Sequence, residues 1–211
     1  MADPTQLTGL QIEVAHIFFD LGASTGYLVA GGAALLAADL IARPTEDLDL
    51  FASTPVTSVT EAKDEFVRAL QARKYEVSVL QDGATFCRMI VGTDADEVLV
   101  DLAIDSPPSS APTVTLLGPT MAPEELAARK LLALFGRAEA RDFADVFVLS
   151  QRFGKRELLE QASALDAGFE TGVLAQMMGT IGRFDDDEIP LPPSELAHAK
   201  DFFSAWAKEL R

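Results

Sequence analysis

Asp47-Leu48-Asp49 sets two carboxylates two residues apart in DLDLFA (47–52), a run that alternates acidic and apolar residues. On a β-strand that spacing puts both acids on one face. Side by side they repel, and a cation between them removes the repulsion. A hard divalent ion suits the task, Mg²⁺ first and Mn²⁺ as its substitute, because such ions are held by one or two carboxylates together with substrate phosphates. A third acid, Asp101, stands inside the apolar run VLVDLAI (98–104). On a neighbouring strand it would complete a three-acid site for one or two ions. Upstream, Gly31-Gly32 ends the short apolar run YLVA (27–30). Such a turn lets backbone N–H groups approach a triphosphate, and the helix it opens adds positive potential. Each feature alone has an ordinary reading: a turn, a solvated sheet face, the outward residue of a strand. Their order (strand, Gly-Gly, helix, Asp-x-Asp strand, lone-Asp strand) favours the metal site.

The elements that must position these residues follow from periodicity. Leu7, Leu10, Val14, Ile17, Phe18 and Leu21 fall on one stripe of an opening helix, with Gly22 as its stop and His16 partly buried beside it. YLVA reads as a buried strand, AALLAADLIA as a helix ending before Pro44, and 57–73 as an amphipathic helix. Three strand-like runs follow at 75–80, 85–91 and 98–104, the first two joined by Gln81-Asp82-Gly83 as a hairpin turn. A Pro/Ser-rich stretch at 106–112 and Gly118-Pro119 mark a loop and a domain boundary. Helices fill the remainder: 123–136, 138–153, 155–165, 171–181 and 193–210. The expected fold class is α+β, with a mixed-sheet domain over 1–118 and an all-helical domain over 119–211.

Composition limits the function classes. Of the 211 residues 48% are hydrophobic and 24% charged, which is globular rather than disordered. Lys and Arg number 17 against 33 Asp and Glu, a formal charge of −16 that argues against a wholesale nucleic-acid coat. The charge is uneven: residues 1–118 carry 6 basic and 17 acidic side chains, residues 119–211 carry 11 and 16. Seven basic residues lie between 129 and 156, against Glu139, Asp142 and Asp145. Lys130, Arg137 and Arg141 share a face if one helix runs through them. That stripe reads either as a solvated helix face or as a binding surface for a triphosphate and a nucleic-acid end, with Arg152 extending it. The single Cys87 excludes an intramolecular disulfide and a cysteine zinc site, and reads as core. No signal peptide or membrane span is evident, so a cytoplasmic protein without a membrane partner is expected.

The order of elements around Gly31-Gly32, Asp47-x-Asp49 and Asp101 resembles the polymerase-β-like nucleotidyltransferase superfamily. Within it, VAGGAALLAADLIARPTEDLDLFA (29–52) is similar to the AbiEii-type toxins of type IV toxin–antitoxin systems, including the mycobacterial MenT group. Those proteins carry an Arg and a hydroxyl residue just before Asp-(Leu/Ile)-Asp-Leu, matched here by Arg43, Thr45, Asp47 and Asp49. PEELAARKLLALFGRAEARDFADVFVL (123–149) resembles the family's helical motif, with Lys130, Arg137, Arg141, Asp142 and Asp145 in its positions. Ala33 departs from the pattern, where the superfamily often supplies a Ser or Thr for one phosphate contact.

The resemblance implies Mg²⁺-dependent transfer of a nucleoside monophosphate from an NTP to the 3′ end of tRNA. Pyrimidine nucleotides are expected, CTP first, and the product cannot be aminoacylated, so growth halts. It also implies a cognate antitoxin protein. Asp47, Asp49 and Asp101 would ligate metal, with Asp101 alternatively accepting the attacking hydroxyl's proton. Gly31, Gly32, Arg43, Thr45 and Lys130 would bind the nucleotide, and the helical half would complete the cleft. Arg137, Arg141 and Arg152 would contact RNA. Asp142 and Asp145 would hold Lys130 or an Arg in place, or act on the substrate. A small-molecule acceptor of the aminoglycoside or lincosamide type, protein nucleotidylation and a non-catalytic binding module are the competing readings.

Overall fold

The computed structural model describes residues 7–53 and 58–211. The chain divides into two compact units, Met1–Ala122 and Pro123–Arg211. In the first, α1 (Gly9–Phe19) opens with Thr8 and Gln11 exchanging side-chain-to-backbone hydrogen bonds, a capping box that satisfies two orphan amides. The elements that follow are β1 (Leu28–Ala30), α2 (Gly31–Ala37), β2 (Asp47–Ala52), α3 (Val59–Ala72), β3 (Glu76–Asp82), β4 (Phe86–Gly92), β5 (Glu97–Ile104), β6 (Thr113–Thr115) and β7 (Gly118–Thr120).

The seven strands form one mixed sheet, ordered β3-β4-β5-β2-β1-β7-β6. β2 pairs in parallel with β5, and β1 in parallel with β7; the other neighbours are antiparallel. Alternation along the central strands separates the two faces. Leu48, Leu50 and Ala52 of β2, Val98, Val100 and Leu102 of β5, and Cys87, Met89 and Val91 of β4 are buried. Helices α1 and α3 add Val14, Phe18, Ala62, Phe66 and Leu70 to this core, where Phe18 meets Phe66 and Tyr27 edge to face at 5.0 and 5.1 Å. The intervening residues, among them Asp47, Asp49, Arg88 and Asp101, point to the other face. That face is the one available for chemistry.

Three local expectations are corrected. The helix after Gly31-Gly32 stops at Ala37 instead of reaching Pro44, because Asp39 turns left-handed (φ 55°) and the Leu40 N–H returns to the Leu35 carbonyl at 2.9 Å. The segment Gly118-Pro119-Thr120, expected as a boundary loop, is a strand of the sheet, paired with both β1 and β6. Its fully buried Thr120 and the Met121 N–H bond to the Val29 carbonyl at 3.0 Å explain why. His16 is exposed rather than partly buried, with Nε2 2.8 Å from the Leu116 carbonyl.

The second unit is helical: α4 (Pro123–Gly136), α5 (Ala140–Arg152), α6 (Lys155–Leu165), α7 (Thr171–Met178), a 3₁₀ turn (Gly179–Arg183) and α8 (Pro193–Glu209). α4 packs against α5, α6 and α7, while α8 packs against α5 and α7. An aromatic cluster joins α5 to α8: Phe143 lies 5.1 Å from Phe203 and Phe147 5.6 Å from Phe202, both edge to face. No described helix is long and apolar enough to cross a membrane.

Cys87 reports on the sheet core. Burial pushes its thiol up to about 11, so the thiolate that reacts with disulfide reagents is suppressed in the native protein. The raised value favours the folded state fully below the thiol's ordinary 9.0, and the advantage is lost as pH rises toward about 11. At pH 8, a chromogenic disulfide reagent should label Cys87 only as fast as the sheet opens, and immediately in urea. Fast labelling of the native protein would contradict a closed core.

Candidate functional site

One row of cross-strand neighbours carries the acid chemistry. Ala30 of β1 stands opposite Asp49 of β2, Asp49 beside Asp101 of β5, and Asp101 opposite Arg88 of β4. Asp47 lies one step along the same face of β2, in register with Leu99. The alternation that buries Leu48 and Leu50 is therefore what aims Asp47 and Asp49 together. Asp101 is 6% exposed, and the guanidinium of Arg88 forks onto both of its oxygens, Nε to Oδ1 at 2.8 Å and Nη2 to Oδ2 at 2.6 Å. Hydrogen bonding to Asp101 raises the Arg88 pKa above its ordinary value, and the fields of Asp47 and Asp49 add to the effect.

The Gly-Gly turn fits against this row. Gly31 has φ +64°, and a Cβ built on it would lie 1.7 Å from Asp49 Oδ2. The Asp49 carboxylate thus occupies the space that any side chain at position 31 would fill, and only glycine meets both demands. A Cβ on Gly32 would lie 2.7 Å from Thr45 Oγ1 and 3.8 Å from Arg43 Nη2. Gly31, Gly32, Arg43, Thr45 and Asp49, singled out from the sequence, are therefore brought together. Gln11 was not anticipated: it is 2% exposed, and its Nε2 donates to the Thr45 carbonyl at 2.8 Å, tying the loop before β2 to α1.

The donor set suits a hard divalent cation. Asp47 and Asp49 set carboxylate oxygens on one face, and the missing side chain at Gly31 leaves Asp49 its place. Asp101 stands next to Asp49, but Arg88 engages both of its oxygens. Among the described residues no group of three or more His, Cys, Asp or Glu is gathered as a metal-binding set. Arg88 gave no signal in the sequence beyond its alternation with Cys87 and Met89; its role depends on the register between β4 and β5.

In the helical unit the site residues gather where α4 meets α5. Lys130, 8% exposed, reaches Asp145 Oδ2 at 2.8 Å and Asp142 Oδ1 at 4.0 Å. Both aspartates are buried, and Asp142 also accepts two bonds from Arg137, at 2.9 and 3.1 Å, and one from the Glu139 N–H at 3.2 Å. A single helix through Lys130, Arg137 and Arg141 does not form. α4 ends at Gly136, and Ala138 turns left-handed (φ 49°) before α5 begins at Ala140. Arg183 donates to the Ala138 carbonyl, fastening that turn. The side chain of Arg141, 43% exposed, bonds Glu139 at 2.9 Å, and Arg152 is exposed near the end of α5.

Two solved structures share the fold: one described as a candidate nucleotidyltransferase from H. pylori (18% identity, TM-score 0.59, covering 97% of each chain), and JHP933 from Helicobacter pylori (19% identity, TM-score 0.58, covering 97% of this chain and 95% of that one). No curated protein matches the sequence. The family model for the nucleotidyl transferase AbiEii toxin of type IV toxin–antitoxin systems matches residues 18–211, and the chain belongs to that family. Membership brings with it nucleotidyl transfer, hence a nucleotide substrate, and an antitoxin as partner.

Two substitutions test the site's construction. Gly31→Ala forces a β-carbon onto the Asp49 carboxylate and a left-handed backbone onto alanine, so transfer should fall about 100-fold while the protein remains folded. Steady-state rates alongside circular dichroism measure this, and near-wild-type rates would show that the place of Asp49 is not critical. Lys130→Met removes the ammonium 2.8 Å from the buried Asp145 and should cost about 3 kcal/mol in urea unfolding. A loss below about 1 kcal/mol would mean that the pair is not a structural centre.

Proposed function

We propose that this protein is a Mg²⁺-dependent toxin that transfers a nucleoside monophosphate from an NTP, CTP first, to the 3′ end of tRNA. The observation that supports it most is the acid row of Asp47, Asp49 and Asp101 with Asp49 seated on Gly31. Asp47 and Asp49 would hold the ion, with Mn²⁺ a workable substitute and Asp101 a ligand for a second ion. Bound there, the ion supplies charge neutralisation on the triphosphate and lowers the pKa of the attacking hydroxyl. Arg43 and Thr45, leaning over the Gly-Gly turn, offer a guanidinium and a hydroxyl to phosphate oxygens. Lys130, held by Asp145, offers a fixed ammonium.

In the transfer itself the acceptor's 3′ oxygen forms a bond to the α-phosphorus. The bond to the bridging oxygen breaks, pyrophosphate leaves, and the hydroxyl proton passes to Asp101 or to water. The charge distribution supports RNA contact through the helical half, by way of Arg137, Arg141 and Arg152, since residues 1–118 are the more acidic part. A tRNA substrate places the protein in the cytoplasm, where blocked aminoacylation halts growth and the antitoxin relieves it. The net charge of −16 supports a second reading, a cationic small-molecule acceptor.

Incubation with total tRNA and each α-labelled nucleotide in Mg²⁺ distinguishes these readings. Label should enter tRNA from one nucleotide, vanish with Asp49→Ala, and fall at least about tenfold at low salt with Arg141→Glu and Arg152→Glu combined, the loss shrinking as salt rises. Label that enters an aminoglycoside or a protein but not RNA would overturn the tRNA assignment.

A further inference from the structure

Arg88 is absorbed by none of the roles above, yet it sits at the end of the acid row. Three carboxylates share one sheet face within neighbouring registers, and at that separation like charges raise one another's energy. A folded protein without a bound ion still has to carry them. Arg88 is the cation that β4 delivers to this face, opposite Asp101. Its fork takes both oxygens that a metal ion would use. Its side chain is 42% exposed and rests near the Phe86 ring, 5.6 Å from the centroid, whereas the side chain of Asp101 beneath it is only 8% exposed. The guanidinium can therefore leave toward solvent without opening the sheet, while Asp101 cannot follow it.

We propose that Arg88 is the built-in counter-cation of the acid row, orienting Asp101 in the metal-free protein and competing with a divalent ion for its oxygens. This rests on the reading of Asp47 and Asp49 as metal ligands. Arg88 is a positioning residue here, since it acts through Asp101. A divalent ion that uses Asp101 would have to displace Arg88 from its oxygens. Arginine suits this task because it stays charged and its fork covers a carboxylate completely; lysine would grip one oxygen.

The test is Mn²⁺ binding by calorimetry, with melting in EDTA and in Mn²⁺, on full-length wild type, Arg88→Met, Arg88→Lys and Asp49→Ala. Arg88→Met should melt about 4 °C lower than wild type in EDTA, a gap that closes in Mn²⁺ as the ion takes over the neutralisation. It should bind Mn²⁺ roughly tenfold tighter than wild type, because the competing cation is gone. Arg88→Lys should fall between the two, and it carries the test alone if methionine prevents folding. A merely structural arginine would lower melting equally with and without Mn²⁺ and leave affinity unchanged, and that result overturns the proposal. If wild type binds no Mn²⁺, or Asp49→Ala binds it equally well, the metal reading itself fails and this proposal falls with it. If Asp49→Ala loses binding while the Arg88 variants bind as wild type does, only the role given to Arg88 fails.

Discussion

Mutual repulsion of carboxylates is the constraint around which the first unit is arranged. Asp49 and Asp101 are lateral neighbours on parallel strands, with Asp47 one step along the same face. A sheet tolerates that placement only when positive charge is supplied nearby. Arg88 provides one such charge from an adjacent strand. Gly31 provides room rather than charge, since its lack of a side chain lets Asp49 lie against the backbone. The hydrophobic face behind the row, Leu48, Leu50, Val100, Leu102 and Met89, fixes the register that keeps the charges together. Slipping one strand by a residue would turn its acid into that core.

The helical unit meets the same constraint by another route. Asp142 and Asp145 are both buried, and they are compensated by Lys130 and Arg137 in a network that includes the Glu139 amide. Buried charges of this kind contribute little net stability when intact and cost several kcal/mol when broken. The network's effect is to fix one lysine in a single position.

Much of this was legible in the residues, for identifiable reasons. DLDLFA announced β2 over its full range because alternation at period two is a local property, and Pro123 and Gly136 bracketed α4 in the same way. Gly31-Gly32 and Asp49 could be connected because their types point to one chemistry. What stayed hidden depended on register or on tertiary turns. Arg88 meets Asp101 only through the antiparallel pairing of β4 with β5, which no local pattern encodes. Gln11 reaches Thr45 across a sequence separation of 34. β6 and β7 are three residues each, too short for periodicity, and Gly118-Pro119 reads as a break before it reads as a strand. The face shared by Lys130, Arg137 and Arg141 presumed a continuous helix, and the left-handed Ala138, an alanine giving no turn signal, removed it.

The parallel pairing of β2 with β5 has a consequence for the order of events during synthesis. A chain leaves the ribosome from its N-terminus, and domains acquire structure as their segments emerge. Asp47 and Asp49 emerge early, but their neighbour Asp101 and its partner strand β4 come from the far end of a long crossover through α3 and β3. β1, which leads into Gly31, is flanked on its other side by β7, made later still. A nascent or prematurely terminated chain that ends before β5 therefore lacks Asp101 and the strand that pairs with β2 on that side. In such a chain β2 carries its two acids with no β5 beside it to set their register, so the row is assembled only after β5 has been made.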